Sequence, residues 1–208
     1  MPSPNTPDGR TTRWQAHRET RQQALVEAAI RAIEAQGPDV GVDQIALHAG
    51  IARPSIYRHF EDGSGLQRAV FERATALLLE SLAPLWTAEI ATPGALVGPT
   101  VLSYFRWISR HPNLSRYCLR QAATTSVDSL RLSVAQRLSE LFDRLPQSAG
   151  MTPTDTRILA VGIVGLTEST ALWWLENPGA IALEVLAERT ARLILEMIRS
   201  SSGVARWD

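Results

Sequence analysis

Hydrophobic residues recur at helical spacing along almost the whole chain. From about Arg18 to Gln36 they lie three or four positions apart, which places them on one face of a helix; they are Leu25, Ala28, Ala29, Ala32 and Ile33. Gly37-Pro38 is expected to end this helix, because glycine tolerates a left-handed backbone and proline cannot continue a helix. The pattern then predicts two short helices, at about Val42–Ala49 and Arg53–Phe60.

These two short helices are separated by Gly50, which predicts a tight turn between them. In the second helix Ile56 and Phe60 lie four residues apart and form its inward stripe. The opposite side and its flanks carry polar, aromatic and basic residues, namely Arg53, Pro54, Ser55, Tyr57, Arg58 and His59. Two helices joined in this way are typical of a helix-turn-helix, whose second helix enters the DNA major groove. Taken alone, the second helix is also compatible with an ordinary amphipathic surface helix.

The remaining two thirds of the chain has helical periodicity and no credible strand pattern. A fourth helix is expected to begin near Leu66, and Pro84 to kink or end it. Breaks rich in Pro and Gly predict five more helices, near 95–110, 113–124, 127–145, 153–176 and 179–200. The predicted fold class is therefore all-α, with about nine helices.

Composition and charge restrict the function only weakly. The 208 residues include 21 basic and 21 acidic side chains, and every basic one is arginine. A zero net charge argues against a protein that coats DNA without regard to sequence, because such binding depends on neutralising phosphates. The N-terminus has no apolar stretch, so no signal peptide is expected. The apolar run 158–175 contains Glu168, and we expect a buried soluble helix there and no membrane span.

The basic residues of the N-terminal segment leave two interpretations open. Arg10, Arg13, Arg18 and Arg21 lie close together with only one acid, Glu19, among them. They form either a solvated arm and helix start, or a basic arm that contacts DNA phosphates or a minor groove.

No catalytic, metal or cofactor site is predicted. The four histidines lack metal-ligand spacing, and Cys118, the only cysteine, has no obvious base near it in the sequence. A single cysteine weakly favours a reducing compartment. The alternative to a DNA-binding regulator is an all-helical enzyme or small-molecule carrier with a vestigial helix-turn-helix.

The segment from Arg18 to Phe71 resembles the DNA-binding domain of the tetracycline-repressor (TetR) family. The resemblance depends on an ordered set of features: Gly37 after the first helix, Ile45-Ala46, Ala49-Gly50-Ile51, Pro54-Ser55-Ile56-Tyr57, His59-Phe60, and Leu66 opening a long helix. It implies a bacterial, cytoplasmic and nucleoid-associated transcriptional regulator. Such a protein is most often a repressor that binds a near-palindromic operator as a homodimer and is released by a small-molecule effector.

The resemblance also implies domains and contacts. Residues 1–17 would form a flexible basic arm, 18–65 the DNA-binding domain with its motif at about 41–60, 66–200 the effector-binding and dimerisation domain, and 201–208 a tail. Arg53, Ser55 and Arg58 would reach base edges, Tyr57 and His59 phosphates, and Pro54 a thymine methyl or sugar. Backbone N–H groups from Gly41 and Val42 to Asp43 would meet a phosphate.

Three positions depart from the family pattern. Gly41 stands where a capping Thr is common, Ala52 where a Ser cap is common, and Gly63 where a phosphate-binding Lys is common. These departures put peripheral phosphate contacts in doubt. The Arg-rich segment 10–21 is a candidate to compensate for them.

The C-terminal part is expected to hold the dimer interface and an apolar effector pocket. The family dimerises through its last two long helices, here near 153–176 and 179–200, and the first of these is apolar or small nearly all around. Candidate pocket residues are Trp86, Phe105, Trp107, Tyr117, Glu168 and Trp173. Plain core packing is an equally good interpretation of each aromatic residue. Glu168 is a pocket group, a dimer hydrogen-bond partner or a solvent-facing residue.

Overall fold

The structure is a computed structural model that describes residues 9–60, 63–86, 93–121, 128–143 and 151–202. Over these residues every regular element is an α-helix, which confirms the predicted all-α class. The helices are α1 Gly9–Gln36, α2 Val42–His48, α3 Arg53–Phe60, α4 Gly63–Trp86, α5 Pro93–Arg110, α6 Pro112–Gln121, α7 Asp128–Phe142, α8 Pro153–Glu176 and α9 Leu183–Ser202.

The chain divides into two compact units, one ending at Arg73 and the other beginning at Ala74. The division lies inside α4. We call them the N-terminal and the C-terminal unit.

The core of the N-terminal unit is built from the apolar faces of α1 to α4. Its least exposed members are Ala29, Ala32, Ile33, Ile45, Ile56, Leu66 and Val70. A part-buried ion pair between Arg73 Nε and Glu27 Oε1, at 2.7 Å, joins α4 to α1. Helix α1 begins at Gly9 and so includes residues 9–17, which the family resemblance assigns to a flexible arm. This stretch contains no proline, and its Arg, Gln and Ala residues favour helix.

In the C-terminal unit, α5 packs on α9 and α7 packs on α8. The shared core includes Val101, Phe105, Leu159, Ile163 and Ile194. Thr152 caps α8, because its hydroxyl accepts a bond from the Asp155 N–H at 3.2 Å and the Asp155 carboxylate accepts one from the Thr152 N–H at 2.8 Å. Among the described helices, α8 alone is long and apolar enough to cross a membrane by length and composition.

Candidate nucleic-acid interface

The turn between α2 and α3 is a Schellman motif. Gly50 has a φ of +66°, the left-handed region in which glycine is favoured. The Ile51 N–H donates to the Ala46 carbonyl at 3.0 Å, and the Gly50 N–H donates to the Leu47 carbonyl at 3.1 Å. These two bonds are the pair that defines the motif and satisfy carbonyls at the end of α2. Because the turn is tight, α3 starts within a few residues of the end of α2.

Helix α3 is anchored on its inner side and at its end. Ile56 and Phe60 are buried, as their spacing predicts. Gln22 of α1 donates from Nε2 to the His59 carbonyl at 2.6 Å, which satisfies one of the last carbonyls of α3. These contacts fix the orientation of α3 against α1, so its other side points away from the core.

The six predicted α3 residues all lie outside the buried stripe of Ile56 and Phe60. Arg53, Pro54 and Arg58 are exposed, whereas Ser55, Tyr57 and His59 are part-buried. We call these six residues the outer side of α3. Their combination of arginine donors and hydroxyl groups is suited to base edges and phosphate oxygens.

Arg53 is held by two neighbours. Its Nη1 lies 3.0 Å from Asp43 Oδ1 in the first turn of α2, while Nε and Nη2 donate to Tyr57 Oη at 3.3 and 3.1 Å. The guanidinium carbon lies 5.6 Å from the centre of the Tyr57 ring, within cation–π range. The hydrogen bond with Tyr57 and the charge of Asp43 raise the pKa of Arg53, so the side chain stays charged. Sequence reasoning did not predict the pairing of Asp43 with Arg53.

Arg58 and Ser55 form a second polar pair on the outer side of α3. Arg58 Nη2 donates to Ser55 Oγ at 2.8 Å, one turn back along the helix. Both predicted base-contacting arginines thus have a side-chain acceptor within the protein.

His59 of α3 lies near the exposed arginines Arg18 and Arg21 of α1. Burial, together with the positive charges of Arg18, Arg21 and Arg58, lowers the pKa of His59 below its usual 6.5. Its Nδ1 is buried and has no hydrogen-bond partner among the described residues. His59 is therefore neutral at pH 7. The side chains of Arg10 and Arg13 lie outside the described residues.

At the start of α2, one of the predicted phosphate donors has an acceptor within the protein. The Gly41 N–H donates to Gln44 Oε1 at 3.0 Å, so a protein acceptor already satisfies it. Val42 follows as the first, part-buried residue of α2. The phosphate contacts at Gly41 and Val42 stay predictions.

The predicted pocket residues whose side chains the structure describes differ in burial, and their role in a pocket stays a prediction. Phe105 is completely buried, and the partly buried Trp107 packs against the core of the C-terminal unit. Tyr117 is buried, which raises its pKa to about 12. Trp173 is instead 48% exposed, and Trp174 is the residue that packs inward. Trp86 ends α4, and its side chain lies outside the described residues.

Glu168 is part-buried and lies near Tyr104, a residue that sequence reasoning missed. Burial and the Glu168 carboxylate raise the pKa of the Tyr104 hydroxyl. Tyr104 also contacts Phe105 edge to face, with ring centres 5.3 Å apart. Tyr104 could have been found from the sequence, because its polar hydroxyl stands next to Phe105 in a largely apolar helix. These contacts place Glu168 inside the C-terminal unit rather than fully in solvent.

An open groove of about 380 Å³ lies between α5 and α9. Its floor is mostly small or apolar, and three charged residues rim it; the lining residues are Gly98, Leu102, Ala187, Ala191, Leu195, Glu184, Glu188 and Arg192. None of the five predicted pocket residues whose side chains the structure describes lines this groove.

Helices α8 and α9 expose large apolar side chains. On α8, Ile158 is 67% and Val161 is 44% exposed, and Trp173 follows further along the helix. On α9, Leu193 is 54% exposed. Only 28% of the most apolar stretch of α8 is buried within this chain.

A metal centre is not indicated, since the described residues contain no group of three His, Cys, Asp or Glu side chains that could hold an ion.

Comparison with known proteins identifies the N-terminal unit. Residues 25–70 match the family model of bacterial regulatory proteins of the tetR family. Two uncharacterised helix-turn-helix-type transcriptional regulators of Mycobacterium tuberculosis are 27% identical over 176 residues, which cover 82% of this chain and 74% of theirs.

Solved structures share the fold. A tetR-family regulator from Streptomyces coelicolor has a TM-score of 0.65 at 24% identity, covering 88% of this chain and 82% of its own. FadR from Bacillus subtilis, solved in complex with stearoyl-CoA, has a TM-score of 0.65 at 20% identity, covering 84% and 98%. The repressor AlkX from a Dietzia strain, implicated in n-alkane biodegradation, has a TM-score of 0.64 at 16% identity, covering 88% and 97%. Residues 25–70 thus match the DNA-binding segment of the tetR family, the chain is similar to helix-turn-helix-type transcriptional regulators, and it shares its fold with solved TetR-family regulators.

Proposed function

We propose that this regulator is a repressor that binds a near-palindromic operator as a homodimer and is released by a small-molecule effector. In this account the N-terminal unit reads the DNA and the C-terminal unit dimerises and takes the effector. The protein acts in the bacterial cytoplasm, on the nucleoid. The observation that carries the proposal is the outer side of α3, where exposed arginines lie on a helix whose opposite side is anchored in the core.

The outer side of α3 supplies donors for both kinds of DNA contact. Arg53 and Arg58 are the candidates for guanine, because a guanidinium can donate two bonds to its O6 and N7 atoms. Ser55 assists Arg58, and Pro54 meets a thymine methyl or sugar. Tyr57 and His59 contact phosphate oxygens, which orient the helix without reading sequence. Arg18 and Arg21, exposed near His59, add phosphate contacts that offset the missing Lys at position 63.

Dimerisation through α8 and α9 is supported by the apolar side chains that these helices leave exposed. A single soluble chain seldom exposes a contiguous apolar face, whereas a two-fold interface buries the same face of both copies. Ile158, Val161 and Leu193 would lie in this interface. A dimer also places two recognition helices roughly 34–36 Å apart, one turn of DNA, which explains a near-palindromic operator.

The proposed effector is largely apolar. The core of the C-terminal unit is rich in aromatic and aliphatic residues, with Tyr104 and Glu168 as polar groups that could orient a ligand. Two neighbours of the same fold support this class, since one was solved with stearoyl-CoA and the other is implicated in n-alkane biodegradation. Phe105, Trp107 and Tyr117 are the candidate residues nearest such a ligand.

Footprinting on DNA that flanks the protein's own coding region tests the proposal. We expect a protected site with two similar half-sites, whose protection is lost when an effector from a panel of fatty acids and acyl-CoA thioesters is added. Uniform protection along any DNA, or no protection at all, would contradict operator binding. A footprint that persists with every apolar compound would contradict the proposed effector class alone.

A further inference from the structure

We propose that Asp43 is a positioning residue that holds Arg53 for base recognition and so sets the sequence specificity of the recognition helix. This inference rests on the proposed DNA-binding function. Asp43 belongs to α2 and is not expected to touch a base. The inference adds it to the residues that determine which bases are recognised.

The geometry around Arg53 engages every nitrogen of its guanidinium. Nη1 contacts both carboxylate oxygens of Asp43, at 3.0 and 3.1 Å, and Nε and Nη2 both donate to the hydroxyl of Tyr57. A guanidinium has five N–H groups in one rigid plane. One N–H on each nitrogen suffices for these four contacts when the Nη1 N–H is shared between the two carboxylate oxygens, and one N–H then remains on each Nη. Two such donors are what a bidentate contact with guanine requires.

The contacts come from both sides of the turn. Tyr57 lies one helical turn beyond Arg53 on α3, whereas Asp43 belongs to α2. With only Tyr57, the arginine would still be free to rotate about the direction of its Tyr57 contact. The carboxylate of Asp43 adds a second fixed point, and two fixed points restrict the plane of the guanidinium. A restricted plane favours the one base edge that matches it.

The ion pair of Asp43 contributes little to the stability of the fold, and its negative charge weakens binding to DNA of any sequence. Its side chain is 68% exposed and that of Arg53 is 55% exposed, and ion pairs so exposed contribute little to stability. A carboxylate on the DNA-facing surface also repels phosphates. It therefore lowers affinity for every sequence while it keeps Arg53 from turning to a phosphate, a contact that carries no sequence information. Removing its charge should raise non-specific binding and reduce discrimination.

The test compares the wild-type protein with Asp43→Asn, which keeps the shape of the side chain and removes its charge. Each protein selects sites from a pool of double-stranded DNA with a randomised central region. The ratio of affinities for the best site and for random DNA is then measured at several salt concentrations. Arg53→Lys, which keeps the charge but loses the planar fork, identifies the base pair that Arg53 reads. Glu72→Gln makes the same charge change at an exposed position on α4 and serves as the control.

We expect Asp43→Asn to bind random DNA more tightly and to lose preference at the same base pair as Arg53→Lys, with the affinity ratio falling about fivefold or more. The double variant should lose no more preference there than Arg53→Lys alone, and Glu72→Gln should keep the wild-type ratio. An unchanged ratio for Asp43→Asn, or an equal loss of affinity for both DNAs, overturns the inference. A wild-type protein that selects no sequence overturns the proposed function, and the inference with it.

Discussion

Gly65, near the start of α4, packs directly against the backbone of Phe60 at the end of α3. A Cβ atom on Gly65 would collide with the Phe60 carbonyl oxygen, and backbone atoms cannot move aside as a flexible side chain can. We expect Gly65→Ala to lower the free energy of unfolding of the N-terminal unit by at least about 1 kcal/mol, because the two helices must separate. Urea unfolding followed by circular dichroism measures this change.

Gly63 provides the matched control two residues earlier. A Cβ atom there would meet only a side-chain methyl of Val42 at 3.7 Å, an ordinary contact. Gly63→Ala should change stability by no more than about 0.5 kcal/mol, or raise it slightly through better helix propensity. Equal effects of the two substitutions would show that the contact between Gly65 and Phe60 is not the cause.

The lowered pKa of His59 predicts a pH dependence of stability. In the unfolded chain His59 titrates near 6.5, whereas in the folded protein burial and three neighbouring arginines hold its pKa lower. At a pH between the folded and the unfolded pKa of His59, the unfolded state binds more protons than the folded state. The free energy of unfolding therefore falls as the pH drops below about 6.5. His59→Gln should flatten this fall when urea midpoints at about pH 7.5 and pH 5.5 are compared. His48→Gln, at an exposed position on α2, should leave it unchanged; an equal flattening by both variants would argue against the burial of His59 as the cause.

The exposed apolar face of α8 predicts the oligomeric state. Val161 is 44% exposed in the single chain, and Val161→Arg would place an unpaired charge in the proposed interface. We expect a dimeric wild-type protein and a folded, monomeric variant with weaker operator binding, measured by sedimentation and gel shift. Leu132→Arg makes a comparable change at a 48% exposed position on α7 and should remain dimeric. A dimeric Val161→Arg protein would exclude this face.

Helix positions could be predicted wherever apolar residues repeat between clear breaks. The bounds of α3, Arg53–Phe60, agree with the prediction because Ile56 and Phe60 define its inner stripe and Gly50 separates it from α2. The sequence predicts that α4 starts near Leu66, because the Gly and Ser residues before it are typical of a turn, whereas the helix starts at Gly63.

Contacts between different helices could not be predicted from the sequence. The helical period of α3 located its outward residues, but the pairing of Arg53 with Asp43 depends on how the turn sets α2 against α3. On α8, nearly all positions are apolar, so periodicity could not show that Trp174 packs inward while Trp173 is exposed. Within-helix spacing is thus informative only where one face differs chemically from the other.

The central claim is that the outer side of α3 reads DNA sequence. It is tested most directly by Tyr57→Ala combined with Arg58→Ala, in a gel-shift titration of the footprinted operator against random DNA. Neither Tyr57 nor Arg58 belongs to the buried side of α3, which consists of Ile56 and Phe60. The variant should therefore keep the wild-type circular dichroism spectrum and oligomeric state. We predict that its affinity for the operator falls to within a few-fold of its affinity for random DNA. A variant that still prefers the operator as strongly as the wild-type protein does would contradict the account.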